Sequence, residues 1–387
     1  MAMTYDVHQL RAREFPWTER DGVIYLNHAS TGPYPARALA TVNEINALRA
    51  EPHRLPEERE LAIAARAREL AARLINASPG EIACTVNTSY GINLAARALP
   101  LAPGDVVVAP DREFPANVYP WMALERRGVR FERVPCRDGL PDEDALLRAL
   151  ERPEVRVLAV SWVSFATGAR VDLAALGRAC HERGAYLVVD AIQGVGAATL
   201  DVRACHVDIL ACGGQKWLLA PWGSGFVYVR EELARTLEPF DVSWMAMRGS
   251  DDFTRLVDYD FTYRDDARRF EMITLPYQDF AGLNASLELI HELGAAAVEA
   301  HIVSLVDDII AWATSRSDVR LVTPRERARR AGIVSVVPHD VRAASERLAR
   351  AGVAHSVREG AIRLSPHCYN TADEVRRALA VMTGEER

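Results

Sequence analysis

Apolar runs and amphipathic stretches alternate through the middle of the 387-residue chain, and this alternation narrows the possible folds most. The apolar runs have the length of buried strands, and the stretches between them have the length of helices. Such alternation favours a mostly parallel sheet that is covered by helices on both faces. Strands are expected at residues 23–26, 82–86, 106–109, 130–133, 155–160, 186–190, 208–211 and 225–229. Helices are expected at residues 57–76, 91–99, 117–127, 142–150 and 172–183.

The pattern changes after about residue 265. Helices are expected at 278–293, 295–314, 341–351 and from residue 372, with strands at 332–337, 354–358 and 361–364. Such a mixture is typical of a smaller α+β domain. The sequence therefore predicts a large domain over residues 20–265 and a small C-terminal domain over 266–387, with the N-terminal segment 1–19 packing near the small one.

Charge and composition exclude several functions. The net charge of −7 argues against a nucleic-acid partner. Uncharged runs such as 157–169 and 217–229 have 13 residues each, fewer than the roughly 18 of a membrane span. Residues 1–17 lack the apolar core of a secretory signal. The six cysteines show no C-x-x-C spacing, so no metal site is expected. We expect a cytoplasmic protein without a membrane partner.

Lysine occurs once, at Lys216, whereas the other 45 of the 46 basic side chains are arginine. An arginine can replace a lysine that supplies only charge, but it cannot form a Schiff base. Residues on both sides of Lys216 are apolar or small, and burial there lowers the pKa of an amine and makes it a nucleophile. Gly213 and Gly214 allow a ligand to approach the backbone closely. The alternative is a single remaining surface lysine.

Asp190 ends a strongly apolar predicted strand. Ligands of parallel α/β sheets bind at the carboxyl ends of strands, so this carboxylate either serves a ligand or caps a helix. A pyridine nitrogen is a suitable partner, because a carboxylate keeps that nitrogen protonated and makes the ring an electron sink.

Thr88 and Ser89 follow another predicted strand and begin a helix. They are either ordinary helix caps or part of a phosphate site, since a helix N-terminus offers backbone N–H groups to an anion. A hydroxyl-bearing helix start, a strand-end aspartate and a lone lysine 26 residues after it together suggest pyridoxal phosphate.

Seven segments, in this order and at this spacing, resemble the class V aminotransferase family of fold type I pyridoxal-phosphate enzymes. That family also contains cysteine desulfurases, kynureninase and isopenicillin N epimerase-like proteins. The segments are 25–33 (YLNHASTGP), 87–90 (NTSY), 113–121 (EFPANVYPW), 190–193 (DAIQ), 214–217 (GQKW), 269–274 (RFEMIT) and 363–370 (RLSPHCYN). The implied fold is a fold type I α/β fold with a large mostly parallel sheet domain and a smaller α+β domain.

The resemblance implies a role for each cofactor-binding residue. Lys216 would form the Schiff base with pyridoxal 5'-phosphate and move protons, and Asp190 would pair with the pyridinium. Gln193 would hydrogen-bond to the ring hydroxyl. The phosphate would be held by Thr88, Ser89 and Gln215.

Further roles concern the substrate and a second subunit. Phe114 would stack on the cofactor ring, although it also suits a core position. Thr274 would reach the phosphate from the partner of a homodimer with a shared active site, unless it is only a turn residue. Ala29 and Arg363 would contact an amino-acid substrate, with Arg363 gripping its α-carboxylate; an interior ion pair is the alternative for Arg363.

The chain also departs from the family pattern. No cysteine lies in residues 352–363, where desulfurases carry a catalytic cysteine before the arginine. Phe165 replaces an asparagine, which favours a larger or more apolar substrate. Gln215 stands where a histidine or tyrosine is usual, and Ile273 where a glycine is usual, so the phosphate contacts are expected to differ in detail.

The sequence favours an aminotransferase, with a β-lyase acting on a C–S bond or an epimerase as alternatives. A nicotinamide-dependent oxidoreductase is a weaker alternative, because Gly194 and Gly196 follow a strand but Thr199 occupies the third glycine position. A non-catalytic regulator that binds pyridoxal phosphate lacks support, since no basic stripe is present.

Overall fold

The computed structural model describes residues 5–385 and contains a large, mostly parallel sheet. Its order is β2-β8-β7-β6-β5-β3-β4. After β1 (Ile24–Tyr25), the strands of this sheet are β2 (Ile82–Cys84), β3 (Val106–Pro110), β4 (Arg130–Val134), β5 (Val155–Ser161), β6 (Tyr186–Asp190), β7 (Ile209–Gly213) and β8 (Gly225–Val229).

The sheet is parallel from β4 to β7, and β8 runs antiparallel to both β7 and β2. The reversal follows from the connection between β7 and β8, which spans residues 214–224. It contains no crossover helix, and parallel strands need a crossover of about a dozen or more residues. The antiparallel pair therefore has the Lys216 loop at its turn.

Nine α-helices lie in the described part of the chain that precedes residue 277. They are α1 (Val7–Glu14), α2 (Trp17–Arg20), α3 (Ala36–Ala50), α4 (Glu57–Leu74), α5 (Thr88–Ala98), α6 (Tyr119–Met122), α7 (Glu143–Ala149), α8 (Leu173–Glu182) and α9 (Glu231–Thr236). The sequence did not predict α3. The helix expected over 117–127 is only α6 followed by a 3-10 turn. Pro120 fits only the first turn of a helix, so the α-helix cannot begin as early as residue 117.

The C-terminal part contains two long helices and a small antiparallel sheet of order β12-β13-β10-β9. Its elements are α10 (Tyr277–Leu293), α11 (Ala295–Thr314), β9 (Val319–Leu321), β10 (Val334–Pro338), α12 (Val341–Arg350), β11 (Val353–Ala354), β12 (Ser356–Arg358), β13 (Ala361–Leu364) and α13 (Ala372–Thr383).

The strand expected at residues 23–26 does not join the large sheet. It is β1, and it pairs in parallel with β11 in a separate two-stranded sheet. α10, from the other side of the predicted boundary, packs on α3 and α4. The division of the chain between residues 265 and 266 remains a prediction.

The N-terminal segment contacts residues near the C-terminus. The Tyr5 hydroxyl donates to the Cys368 carbonyl at 2.8 Å, and Arg11 donates to the Tyr369 carbonyl and to Glu374, each at 2.9 Å. Residues 1–4 of the predicted segment lie outside the described residues. Between residues 5 and 385, no helix is both long enough and apolar enough to cross a bilayer.

Candidate active site

Lys216 lies in the loop that follows β7, and the backbone of this loop is fixed on several sides. Gly32 donates its N–H to the Gln215 carbonyl at 2.8 Å. A Cβ at Gly32 would lie 2.1 Å from the Lys216 carbonyl oxygen, so only glycine allows this approach. The next side chain, Trp217, is fully buried and stacks on His367. The loop therefore holds the lysine backbone in one place.

The Lys216 amine lies in an apolar environment. Its Nζ is 5.7 Å from the centre of the Phe114 ring, and within the described chain no group hydrogen-bonds to it. Burial lowers the pKa of Lys216 to about 8, although the charge of Asp190 opposes this shift. Much of this amine is therefore neutral near pH 8 and able to act as a nucleophile or base.

Asp190 is buried at the carboxyl end of β6, where it aligns with Ser161 on β5 and Ala211 on β7. Its Oδ1 accepts a hydrogen bond from Ile192 N at 3.1 Å. Burial raises the pKa of Asp190 to about 6. Among residues 5–385 no cation hydrogen-bonds to this carboxylate, so it can accept a cationic ligand.

Gln193 is buried and already has two partners. Its Nε2 donates to the Ala29 carbonyl at 2.9 Å, and its Oε1 accepts from Trp217 Nε1 at 2.9 Å. One amide N–H remains for a ligand. Gln193 thus ties the lysine loop to the segment that contains Ala29, a function that the sequence did not predict.

Thr88, Gly213 and Gln215 form a small cradle at the N-terminus of α5. Gly213 N donates to Thr88 Oγ1 at 2.9 Å, and a Cβ at Gly213 would lie 2.5 Å from Gln215 Oε1. The helix start offers N–H groups and a partial positive charge to an anion. Ser89, the next residue, is exposed. The structure therefore brings the three predicted phosphate residues to one helix end.

Phe114 and Phe165 form an aromatic pair near the amine. Their ring centres are 5.3 Å apart at an interplanar angle of 76°. Phe114 is 43% exposed, so it is not the core residue of the alternative interpretation. The pair gives the site an apolar wall.

Arg363 is 2% exposed and has no acidic partner among the described residues. Its guanidinium donates to Ser30 Oγ at 2.7 Å, to the Phe165 carbonyl at 2.8 Å and to Ser356 Oγ at 3.0 Å. Burial lowers the pKa of Arg363 to about 10. An interior ion pair is thus not its role within the described chain, and a carboxylate ligand would supply the missing charge.

The predicted roles of Ala29 and Thr274 involve the substrate and a second subunit, and they remain predictions. Ala29 is buried, and its carbonyl is bonded to Gln193 while its N–H donates to Ser365 Oγ at 3.0 Å. Thr274 is exposed and has no hydrogen bond to the lysine loop within residues 5–385. Within the described chain, no hydrogen bond joins Thr274 to the cradle.

Glu113 is a site residue that the sequence reasoning did not assign. It accepts hydrogen bonds from Ser161 N at 2.8 Å, from Ser161 Oγ and from Asn117 Nδ2 at 3.2 Å. Burial raises the pKa of Glu113 to about 7, and the charge of Asp190 adds to this. Glu113 fixes the turn that carries Phe114 to the end of β5. Its position shortly after the apolar strand β3 was the available signal.

The arrangement combines a nucleophilic amine, a buried carboxylate, an anion cradle and a buried guanidinium. Residues 5–385 contain no group of histidine, cysteine or acidic side chains suited to a metal. A cavity of about 910 Å³ lies elsewhere, between side chains such as Arg137, Asp172 and Glu299, and none of the predicted site residues lines it.

Comparisons with known proteins place the chain in a family and identify similar enzymes. The family model described as aminotransferase class-V matches residues 24–378. A probable cysteine desulfurase of Methanothermobacter thermautotrophicus is 30% identical, covering 91% of this chain and 92% of the relative. The isopenicillin N epimerase of Streptomyces clavuligerus is also 30% identical, covering 94% of this chain and 96% of the relative.

A solved structure shares the fold. It is that of a C-DES mutant with glycine covalently linked to the PLP cofactor, with a TM-score of 0.86 and 22% identity. The match covers 98% of this chain and 99% of that one. This likeness confirms the predicted fold type I α/β architecture.

Proposed function

The chain belongs to the aminotransferase class-V family, and from this premise we propose that it is a C–S lyase that acts on a cysteine-type amino acid. It is an enzyme that depends on pyridoxal phosphate, as the sequence predicted. A nicotinamide-dependent oxidoreductase is excluded by this membership. The observation that carries the proposal is the amine of Lys216, which lies 5.7 Å from the centre of the Phe114 ring and whose pKa burial lowers to about 8.

The residues present fit the cofactor. Asp190 is a buried carboxylate without a cationic hydrogen-bond partner in the described chain, and it would pair with the ring nitrogen. The cradle of Thr88, Gly213 and Gln215 would hold the phosphate, and Lys216 would bond to the aldehyde carbon. Phe114 would lie against the ring. When bound, the protonated ring withdraws electrons from Cα of an attached amino acid.

Within this site the chain's own residues bind the substrate and move its protons. Arg363 and Ser30 would hold the α-carboxylate, which orients Cα toward Lys216. Lys216, whose pKa is lowered to about 8 by burial, would remove the Cα proton. Phe114 and Phe165 would exclude water from the side chain of the substrate.

The lyase reaction balances with one water. The Cα proton leaves to Lys216, the Cβ–S bond breaks with its electron pair going to sulfur, and the returned proton completes a thiol. Hydrolysis of the remaining enamine gives pyruvate and ammonium. Each substrate R–S–CH2–CH(NH3+)–COO− therefore yields R–SH, pyruvate and ammonium.

The lyase is preferred to the aminotransferase that the sequence favoured because relatives over nearly the whole chain are named for other reactions. One is named a probable cysteine desulfurase and another an epimerase. The epimerase is not preferred, since Phe114 and Phe165, the two side chains of the aromatic wall, carry no proton to deliver to Cα.

Sulfur transfer to a protein thiol is not part of the proposal. Burial raises the pKa of all six cysteine thiols, which disfavours the reactive thiolate. Residues 352–363 also contain no cysteine. We therefore expect the sulfur to leave as a free small-molecule thiol.

A homodimer is part of the proposal. Eight of the sixteen exposed large apolar side chains of the described chain lie between Phe240 and Phe261, including Tyr259 at 90% exposure. A cavity of about 340 Å³ lies beside Ser89 and Phe240. A second copy that covers this segment could bring its own Thr274 to the phosphate cradle.

The test is a product assay on the purified holoenzyme with L-cystine and S-methyl-L-cysteine. The proposal expects one pyruvate for each methanethiol released from S-methyl-L-cysteine and for each cysteine persulfide released from L-cystine, and no product from Lys216→Arg. Conversion of the cofactor to its pyridoxamine form without pyruvate would show an aminotransferase. Alanine formation would show a desulfurase, and a D-amino acid would show an epimerase; each of these would overturn the lyase.

A further inference from the structure

A second arginine, Arg358, lies beside the buried Arg363 on the same face of the small sheet. Ser356 is paired with Arg363, and Arg358 with Ala361, in the antiparallel register of β12 and β13. Alternate residues of a strand point to one face, so Ser356 and Arg358 share the face of Arg363. The hydrogen bond from Arg363 Nε to Ser356 Oγ confirms this shared face.

The register also sets the spacing of the two arginines. Arg358 and Arg363 are diagonal neighbours, which places their backbones about 7–8 Å apart. This separation suits one molecule with two anionic groups. Burial is the main cause of the lowered pKa values of Lys216 and Arg363, and the positive charge of Arg358 adds to both. Its guanidinium is thus close enough to the site to affect both groups.

Neither arginine has a carboxylate within ion-pair distance among residues 5–385. Arg358 donates only to the Val357 carbonyl, at 2.9 Å, and it is exposed. Some other arginines of the C-terminal part are neutralised, since Arg316, Arg327 and Arg330 have acidic partners. Two unneutralised guanidinium groups on one face of the site favour two anions over one.

We propose that Arg358 forms a second carboxylate subsite, so that the preferred substrate is an amino acid with another carboxylate in its side chain or leaving group. Arg363 would hold the α-carboxylate, and Arg358 the distal one at the mouth of the site. This inference rests on the proposed function, which supplies the amino-acid substrate. It deepens that function by assigning the leaving group a negative charge.

The experiment is an equilibrium titration of the holoenzyme, read from the visible absorption of its cofactor. The probes are L-2-aminoadipate and its neutral amide, L-homoglutamine, which have nearly the same size and differ in one charge. We expect the wild type to bind the dicarboxylate about tenfold more tightly, the effect of one charged hydrogen bond. The Arg358→Gln variant should bring the ratio of the two dissociation constants close to one.

The control is Arg320→Gln, which removes an exposed arginine from β9 at the far edge of the same sheet. It should keep the wild-type ratio. Equal affinities in the wild type, or an unchanged ratio in Arg358→Gln, would overturn the subsite even if pyruvate release confirms the lyase. A preference that depends on Arg358 without pyruvate release would support the subsite and overturn the lyase. Failure of both probes to bind would overturn the subsite and the amino-acid substrate together.

Discussion

Asp190 shows how burial alone prepares a side chain for a cationic ligand. The carboxylate is buried at a strand end, and Ile192 N is its hydrogen-bond donor. Burial raises its pKa to about 6 from an ordinary value near 4. The folded protein without cofactor therefore binds a proton more tightly than the unfolded chain does, and its free energy of unfolding falls as the pH rises from about 4 to 6.

The Asp190→Asn variant should consequently stabilise the cofactor-free protein at pH 7. Two pKa units correspond to about 3 kcal/mol, which is the upper size of the expected gain. The gain should shrink at pH 5 and vanish near pH 4, where the wild-type carboxyl is protonated. Urea unfolding of the wild-type and Asp190→Asn apoproteins at pH 7, 5 and 4 measures this difference in the free energy of unfolding. A variant that is less stable than the wild type at pH 7 would contradict this account.

Single residues also show what sequence reasoning can reach. Lys216 and Asp190 were identified because composition and an apolar run mark them locally. The partners of Gln193 could not be predicted, since Ala29 is 164 residues away in the chain. The same holds for the bond from Arg363 to Ser30, which joins residues 333 positions apart.

The Lys216 loop shows how elements, and not only side chains, set the site. The loop follows β7 and is held by the segment after β1, where Gly32 N donates to the Gln215 carbonyl. Local pattern predicted the strands β5 and β6 closely, because both are continuous apolar runs. It missed the helix α3, and it could not show that β1 pairs with β11, because that pairing joins distant parts of the chain.

The Gly32→Ala variant should damage the site through the backbone. Its Cβ would lie 2.1 Å from the Lys216 carbonyl oxygen, and such overpacking costs about 1–3 kcal/mol. We expect a lower melting temperature and weaker binding of pyridoxal phosphate. The control is Gly80→Ala, whose Cβ would meet Asp266 Cβ at an ordinary 3.6 Å. Cofactor binding by Gly32→Ala as tight as in the control would refute the close approach.

At the scale of the whole molecule, the described chain leaves a large apolar segment exposed. Val257 and Phe261 are 74% and 76% exposed, and along the chain they fall between α9 and α10. Exposed apolar surface of this extent is typical of an interface. The sequence implied a homodimer only through resemblance, since no local pattern indicates which surface a second copy covers.

We expect the wild type to sediment at twice the mass of one chain. Tyr259→Glu combined with Phe261→Glu should shift it to the monomer and weaken cofactor binding, because the partner's Thr274 would be lost from the cradle. The control variant is Arg320→Glu, which changes the charge of an exposed residue on β9, and it should remain a dimer. Analytical ultracentrifugation measures the mass of each protein in solution. A wild-type protein that is monomeric at micromolar concentration would contradict the shared site.

The central claim is that the only lysine of the chain is the covalent attachment point of pyridoxal phosphate. Borohydride reduction of the holoenzyme followed by peptide mass mapping tests it directly. The account predicts one phosphopyridoxyl group per chain, located on the peptide that contains Lys216. Recovery of that peptide without the added mass, or with the label only on the N-terminal amine, would contradict it.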